Sequence, residues 1–164
     1  MELAEQIKNR FPSVVLEAKA DKGSQTLYVR KEGIKTLALS LKNEPDFQLN
    51  VLIDLFAVDY LHWEEKENRF EVIYNLYSLT KGHRLFVKAP VSETDPAIDS
   101  VMSIWPAANW FEREVWDMMG IVFKGHSNLK RILMYEGFDG HPLRKDYPYN
   151  KRQPLVNSKN ETSK

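Results

Sequence analysis

Cysteine is absent from all 164 residues, and that gap closes several routes at once. Without thiolates the chain can form no disulfide, no cysteine-ligated zinc site and no cysteine-held iron-sulfur cluster. No apolar run approaches the roughly 20 residues that span a bilayer, and the N-terminal stretch MELAEQIKNRF has no apolar core of a signal peptide. The expectation is a soluble, cytoplasmic protein, or one attached to a membrane only through partners. A glycine-rich phosphate loop, a nucleophile elbow and a local histidine pair are missing too, the four histidines lying at least 15 positions apart. Net charge is lacking as well, since 23 basic and 23 acidic residues cancel.

The cancellation is uneven. Residues 144–164 carry +4, which leaves −4 on residues 1–143. A basic tail suits nucleic acid, an anionic membrane surface or an acidic protein, and an acidic body attached to it argues against nucleic acid. The length fits one domain, placed at residues 1–136, followed by an extended tail at 137–164.

Taken in order, Leu3, Ile7 and Phe11 fall at helical steps before Pro12, and residues 14–18 and 25–30 read as a β-hairpin. A second helix over 33–42 carries Ile34, Leu37, Ala38 and Leu41 as one apolar stripe. Residues 47–61 are apolar nearly throughout and are expected to form a helical turn or two leading into a strand. Phe70, Val72, Tyr74 and Leu76, then Leu85, Val87, Ala89 and Val91, alternate as adjacent strands at the centre of an antiparallel sheet. Asp95-Pro96 resembles a helix start, with Ile98, Val101, Met102 and Trp105 as its stripe and Pro106 as its end. The fold class is α+β: helices packed on a mostly antiparallel sheet, then the tail.

The next helix is the most informative. Asn109 is placed as its N-cap with Glu112 completing a capping box, and Gly120 suits a left-handed stop. Arg113 and Asp117 stand at i, i+4, and Glu114 and Asp117 share a face. Two carboxylates at that spacing, with His126 nearby in sequence, could serve acid-base chemistry or hold a divalent metal. The plainer reading is an ion-paired helix face, with Arg113 holding Asp117 ionised, and His126 making a structural hydrogen bond in a turn. No catalytic or metal site is assigned. Beyond it, Gly137, Gly140, Pro142, Pro148 and Pro154 punctuate the tail too often for a helix, so it should have little to hold it until laid over a partner. Leu143 and Tyr147 would then be apolar anchors, with Arg144, Lys145 and Asp146 making charge-assisted bonds across the interface.

These residues carry a family resemblance. Glu112-Arg113-Glu114, two residues, Asp117-Met118-Met119, six residues, His126, three residues, Lys130, one residue and Ile132-Leu133 resembles the signature of the C-type, or thirty-kilodalton, subunit family of respiratory complex I, NADH-quinone oxidoreductase. The stretch GHPLRKDYP at 140–148, which includes His141, resembles that family's tail motif; AVDYLHW at 57–63 and FEVIYNLYSL at 70–79 match more loosely. With Arg131 added, these positions are expected to be signature or interface residues. The resemblance implies a non-catalytic subunit of the hydrophilic peripheral arm, at the cytoplasmic side of the bacterial inner membrane. It would pack against the large, D-type, quinone-pocket subunit and the cluster-bearing subunits. NADH, FMN, iron-sulfur clusters and quinone would be handled by those other chains, and membrane association would come only through the complex. The competing reading is a free-standing acid-base or metal-dependent enzyme using Glu114, Asp117 and His126.

Overall fold

The computed structural model describes residues 2–21 and 23–153. Helix α1 (Leu3–Arg10) buries Leu3, Ala4 and Ile7. It leads into the hairpin β1 (Val15–Asp21) and β2 (Ser24–Val29), which pair antiparallel. After a single 3-10 turn at Lys31–Gly33, α2 (Ile34–Asn43) buries the four residues of its stripe, Ile34, Leu37, Ala38 and Leu41. Strands β3 (Val51–Asp59), β4 (Phe70–Tyr77) and β5 (Arg84–Val91) then form a meander.

The five strands make one sheet in the order β1-β2-β5-β4-β3, in which β2 and β5 run parallel and every other pair antiparallel. The helices bury their apolar stripes in a single cluster with alternate residues of the central strands: Phe70, Val72, Tyr74 and Leu76 of β4, and Leu85, Val87, Ala89 and Val91 of β5. Burial of that face is what the period-2 pattern requires, and it fixes the register; β4 is buried on its other face too, through Glu71 and Ile73.

Two expectations are corrected. No helix forms over 95–106: residues Ala97–Asp99 are a short strand, β6, paired in parallel with β7 (Val122–Lys124), so that Ile98 stands opposite Phe123. Only one turn follows, with Ile104 and Trp105 N–H groups both donating to the Val101 carbonyl at 2.9 Å. Ile98, Val101 and Trp105 are buried nonetheless, so their spacing reported burial correctly and conformation wrongly. Asp95 caps nothing; its carboxylate takes the Lys31 ammonium at 2.5 Å. Residues 47–50 likewise make a turn with Gln48 at φ 48°, and β3 begins directly after it.

Helix α3 (Ala108–Met119) lies against β3 and ends as expected, with Gly120 in the left-handed region at φ 75°. A Cβ there would stand 2.6 Å from the side chains of both Arg144 and His141. Glycine is therefore required twice over, for the turn and for the close approach of the C-terminal segment.

Candidate docking surface

Helix α3 fastens itself to the body from within. The Glu112 carboxylate is fully buried and accepts from Ser100 Oγ at 2.5 Å and the Val101 N–H at 2.7 Å, tying the helix to the β6 connection. Burial pushes this carboxyl up to about 7, against the pull of those two bonds. The expected capping box is therefore not formed: Asn109 lies inside the helix and Glu112 points into the core. His126 sits beside it, Nε2 4.0 Å from the carboxylate. Its Nδ1 accepts the Asn128 N–H at 3.0 Å, so Nε2 carries the hydrogen and donates to the Asn109 carbonyl at 3.2 Å. Nδ1 closes the 125–128 turn on itself and Nε2 holds that turn to α3.

Asp117 is the hub around which the loop beyond α3 is wound. Its carboxylate, fully buried, accepts the N–H groups of Ile132, Leu133 and Met134 at 3.0, 2.8 and 2.9 Å and the Arg131 guanidinium at 2.5 Å. Burial alone would raise its pKa; those four donors hold it below the usual carboxylate range. Arg113 is not its partner. That guanidinium lies over the Trp110 ring and donates to the carbonyls of Lys130 and Arg131, at 3.0 Å each. Spacing put Arg113 within reach of Asp117, but a rigid nest of backbone donors satisfies an anion better than one mobile side chain. Lys130 contributes its carbonyl while its side chain stays exposed.

The segment 137–153 has no regular structure, yet it is strapped to its own body, contrary to the expectation that only a partner would hold it. Arg131 donates to the carbonyls of Phe138 and Gly140, and His141 Nδ1 lies 3.0 Å from the Asp117 carbonyl. The Leu143 N–H donates to the Met118 carbonyl, and Arg144 Nε to that of Met119 at 2.6 Å, with its guanidinium over the Phe70 ring. Arg144 is thus a C-terminal cap for α3, where a cation meets the negative end of the helix. Further along, the Lys145 N–H donates to Asp59 Oδ2, and Asp146 pairs with Arg69 through both carboxylate oxygens, at 2.6 and 3.1 Å. Arg69 is buried and also holds Asp59 and Glu93. The bonds Asp59 receives from Arg69, Lys145 and Leu61 overcome the rise that burial would cause, leaving it lowered; Asp146 is lowered chiefly by Arg69. Tyr147 stacks on Phe138 with ring centroids 6.1 Å apart. The remainder of the expected tail, 154–164, lies outside the described residues.

Of the residues expected to act together, the structure gathers Asp117, Arg131, His141, Arg144 and Asp146 into intrachain fastenings. It separates Glu114, which is exposed, from the buried Asp117, so the carboxylate pair of the enzyme reading does not exist as a site. Among the described residues no group of three or more metal-ligating side chains comes together. Arg69, Asp59, Glu93 and Ser100 were not singled out from sequence. The available signal was a charged residue set directly against an apolar strand: Asp59 closing β3 and Arg69 opening β4.

The surface of this region mixes exposed charges, among them Glu114, Lys130, Glu136 and Lys145, with large apolar side chains. Among the described residues, six of the twelve large hydrophobic side chains that are exposed fall between Trp110 and Tyr149: Trp110, Val122, Leu133, Tyr135, Leu143 and Tyr149. Below the Asp117 loop, Trp116, Leu129, Arg131, Met134 and Gly137 line an open cleft of about 390 Å³. Exposed apolar side chains gathered in one stretch of the chain suit an interaction surface.

The family described as "Respiratory-chain NADH dehydrogenase, 30 Kd subunit" matches residues 27–153, from β2 to the end of the strap. The chain belongs to this family. Two curated relatives are similar over 142 residues, or 87% of this chain: the C subunit of NADH-quinone oxidoreductase from Geotalea uraniireducens (strain Rf4), 49% identical over 84% of its length, and that from Geobacter metallireducens (strain ATCC 53774 / DSM 7210 / GS-15), 46% identical over 85%. A solved structure, described as the trypsin-resistant fragment (1–134) of Nqo5, superposes with a TM-score of 0.65 at 31% identity, covering 76% of this chain and 95% of that one.

Proposed function

We propose that this chain is a structural, non-catalytic subunit of a proton-translocating NADH-quinone oxidoreductase, built into its peripheral arm. The observation that carries the reading is the run of similarity to the 30 Kd family across α3, the Asp117 loop and the strap, where the exposed apolar side chains also collect. Among the described residues no helix is long and apolar enough to cross a membrane, which fits attachment through partners. The neighbours are the large, D-type, quinone-pocket subunit and the cluster-bearing subunits of the arm, on the cytoplasmic side of the membrane. NADH, FMN, iron-sulfur clusters and quinone are handled by those chains. The chain then acts by geometry, holding redox-active neighbours in fixed relation.

A tagged copy of the chain, used to isolate solubilised membrane complexes, tests this. The expected result is co-purification of an assembly that reduces quinone with NADH, together with a free chain that has no such activity and no visible absorbance. A free chain that carries one metal ion per molecule and brings down no other subunit would overturn the reading.

A further inference from the structure

The two edges of the five-stranded sheet are built differently. β1, at one edge, has Glu17, Lys19 and Asp21 along it, the charges that normally blunt an edge against pairing. β3, at the other, reads VLIDLFAVD and among the described residues pairs only with β4, so the backbone N–H and C=O groups on its outer side face away from the sheet. A bulge between Leu52 and Asp54 interrupts the register at one end, and at the other Asp59 is occupied by the Lys145 N–H of the strap. Between them lies a regular stretch, 54–58, of about 17 Å.

Alongside it runs a groove of about 180 Å³ between β3 and α3, with Phe56, Phe111, Met118, Met119 and Leu143 among its walls. Phe56 and Leu143 are exposed there, at 38% and 56%. Two carboxylates, Asp54 and Glu114, line the same groove, and neither has a cation or hydrogen-bond partner among the described residues. A free strand edge beside a helix, with an apolar trough between them, is the arrangement by which sheets take up extended peptides.

We propose that the 54–58 edge of β3 receives an extended segment of a neighbouring subunit as a sixth strand, its apolar side chains entering the groove against α3 and a lysine or arginine pairing with Asp54 and Glu114. This rests on the proposed role in a larger complex and specifies one of its contacts. The backbone edge selects an extended conformation, the Phe and Met walls select apolar side chains at alternate positions, and the two carboxylates select a cation.

The test uses the assembled complex with a photo-crosslinker in an aromatic position, Phe56→p-benzoylphenylalanine. Irradiation is expected to join this position to another chain, within an extended segment that carries a lysine or arginine. Asp54→Lys with Glu114→Lys is expected to lower retention of the chain in the complex at least tenfold, with recovery when that partner cation is changed to glutamate. In the unaltered chain, outward amides of 54–58 should exchange rapidly when the chain is alone and be protected in the complex, a readout independent of any variant. A crosslink to a helix or to a second copy of this chain, or unprotected amides in a complex that contains the chain, overturns the proposal and leaves the role as a subunit standing. Absence of the chain from the complex overturns that role itself.

Discussion

At the scale of single residues, two buried carboxylates about 8 Å apart along one helix do opposite things, because their surroundings differ. Glu112 has two donors and deep burial, so its folded value, about 7, lies above the unfolded one near 4.3. Its contribution to stability is complete below about pH 4.3 and is lost as pH rises through about 7. Asp59, Asp117 and Asp146 are lowered in the fold, so they stabilise above their unfolded value, near 3.9, and that contribution is lost as pH falls. Urea midpoints measured from pH 3 to 8 should accordingly be highest near pH 5 and decline on both sides. Glu112→Gln should flatten the decline toward neutrality and leave the acid limb; a variant curve parallel to the original would refute the assignment. Asp117→Asn removes the charge that holds Arg131 and three N–H groups, at an expected cost of roughly 3–5 kcal/mol, read as a lower midpoint with faster amide exchange at 132–134. Sequence spacing found Asp117 but not its partners. Arg131 and the 132–134 amides reach it only through a turn of the chain that no i, i+4 rule describes.

Elements were legible where their pattern was local. The stripes of α1 and α2, the alternation of β4 and β5, and Gly120 at the end of α3 all came from neighbours within eight positions. The stretch 95–106 failed because β6 takes its conformation from β7, about 25 residues further on, while its apolar spacing and Asp95-Pro96 satisfied a helical template. The strap failed for a related reason: it has no period at all, and its holding points, Asp59, Arg69 and the C-terminal carbonyls of α3, lie far away in sequence. Asp146→Ala should release one end while Asp59 and Glu93 keep Arg69 paired and the body folded. Trypsin should then cut after Arg144 and Lys145 roughly tenfold faster, as expected for the loss of about 1.4 kcal/mol in local opening. Equal rates would mean that the Asp146 pair does not hold the strap.

At the scale of the whole molecule, the strap joins the last part of the chain to strands in the middle of it, so a change at one fastening reaches the outward surface. Arg144→Glu replaces the cation at the end of α3 with an anion facing carbonyls, and should displace the strap, with Leu143, from the groove wall. Quinone-reductase activity of membranes carrying this variant should fall in proportion to the amount of chain lost from the complex, as seen by native electrophoresis; full assembly with normal turnover would show the strap to be dispensable. The sequence resemblance pointed to the right family, but it could not say that Asp117, Arg131, Arg144 and Asp146 are spent inside the chain while large apolar side chains of the same stretch are exposed. The strap also has a consequence for biosynthesis. Translation delivers the N-terminal part first, so β3 and β4 can fold while Asp59 still lacks the Lys145 amide and Arg69 still lacks Asp146. A product released early would leave Phe70 and the end of α3 uncovered, and a chaperone or protease could tell it from a finished copy by that bare patch.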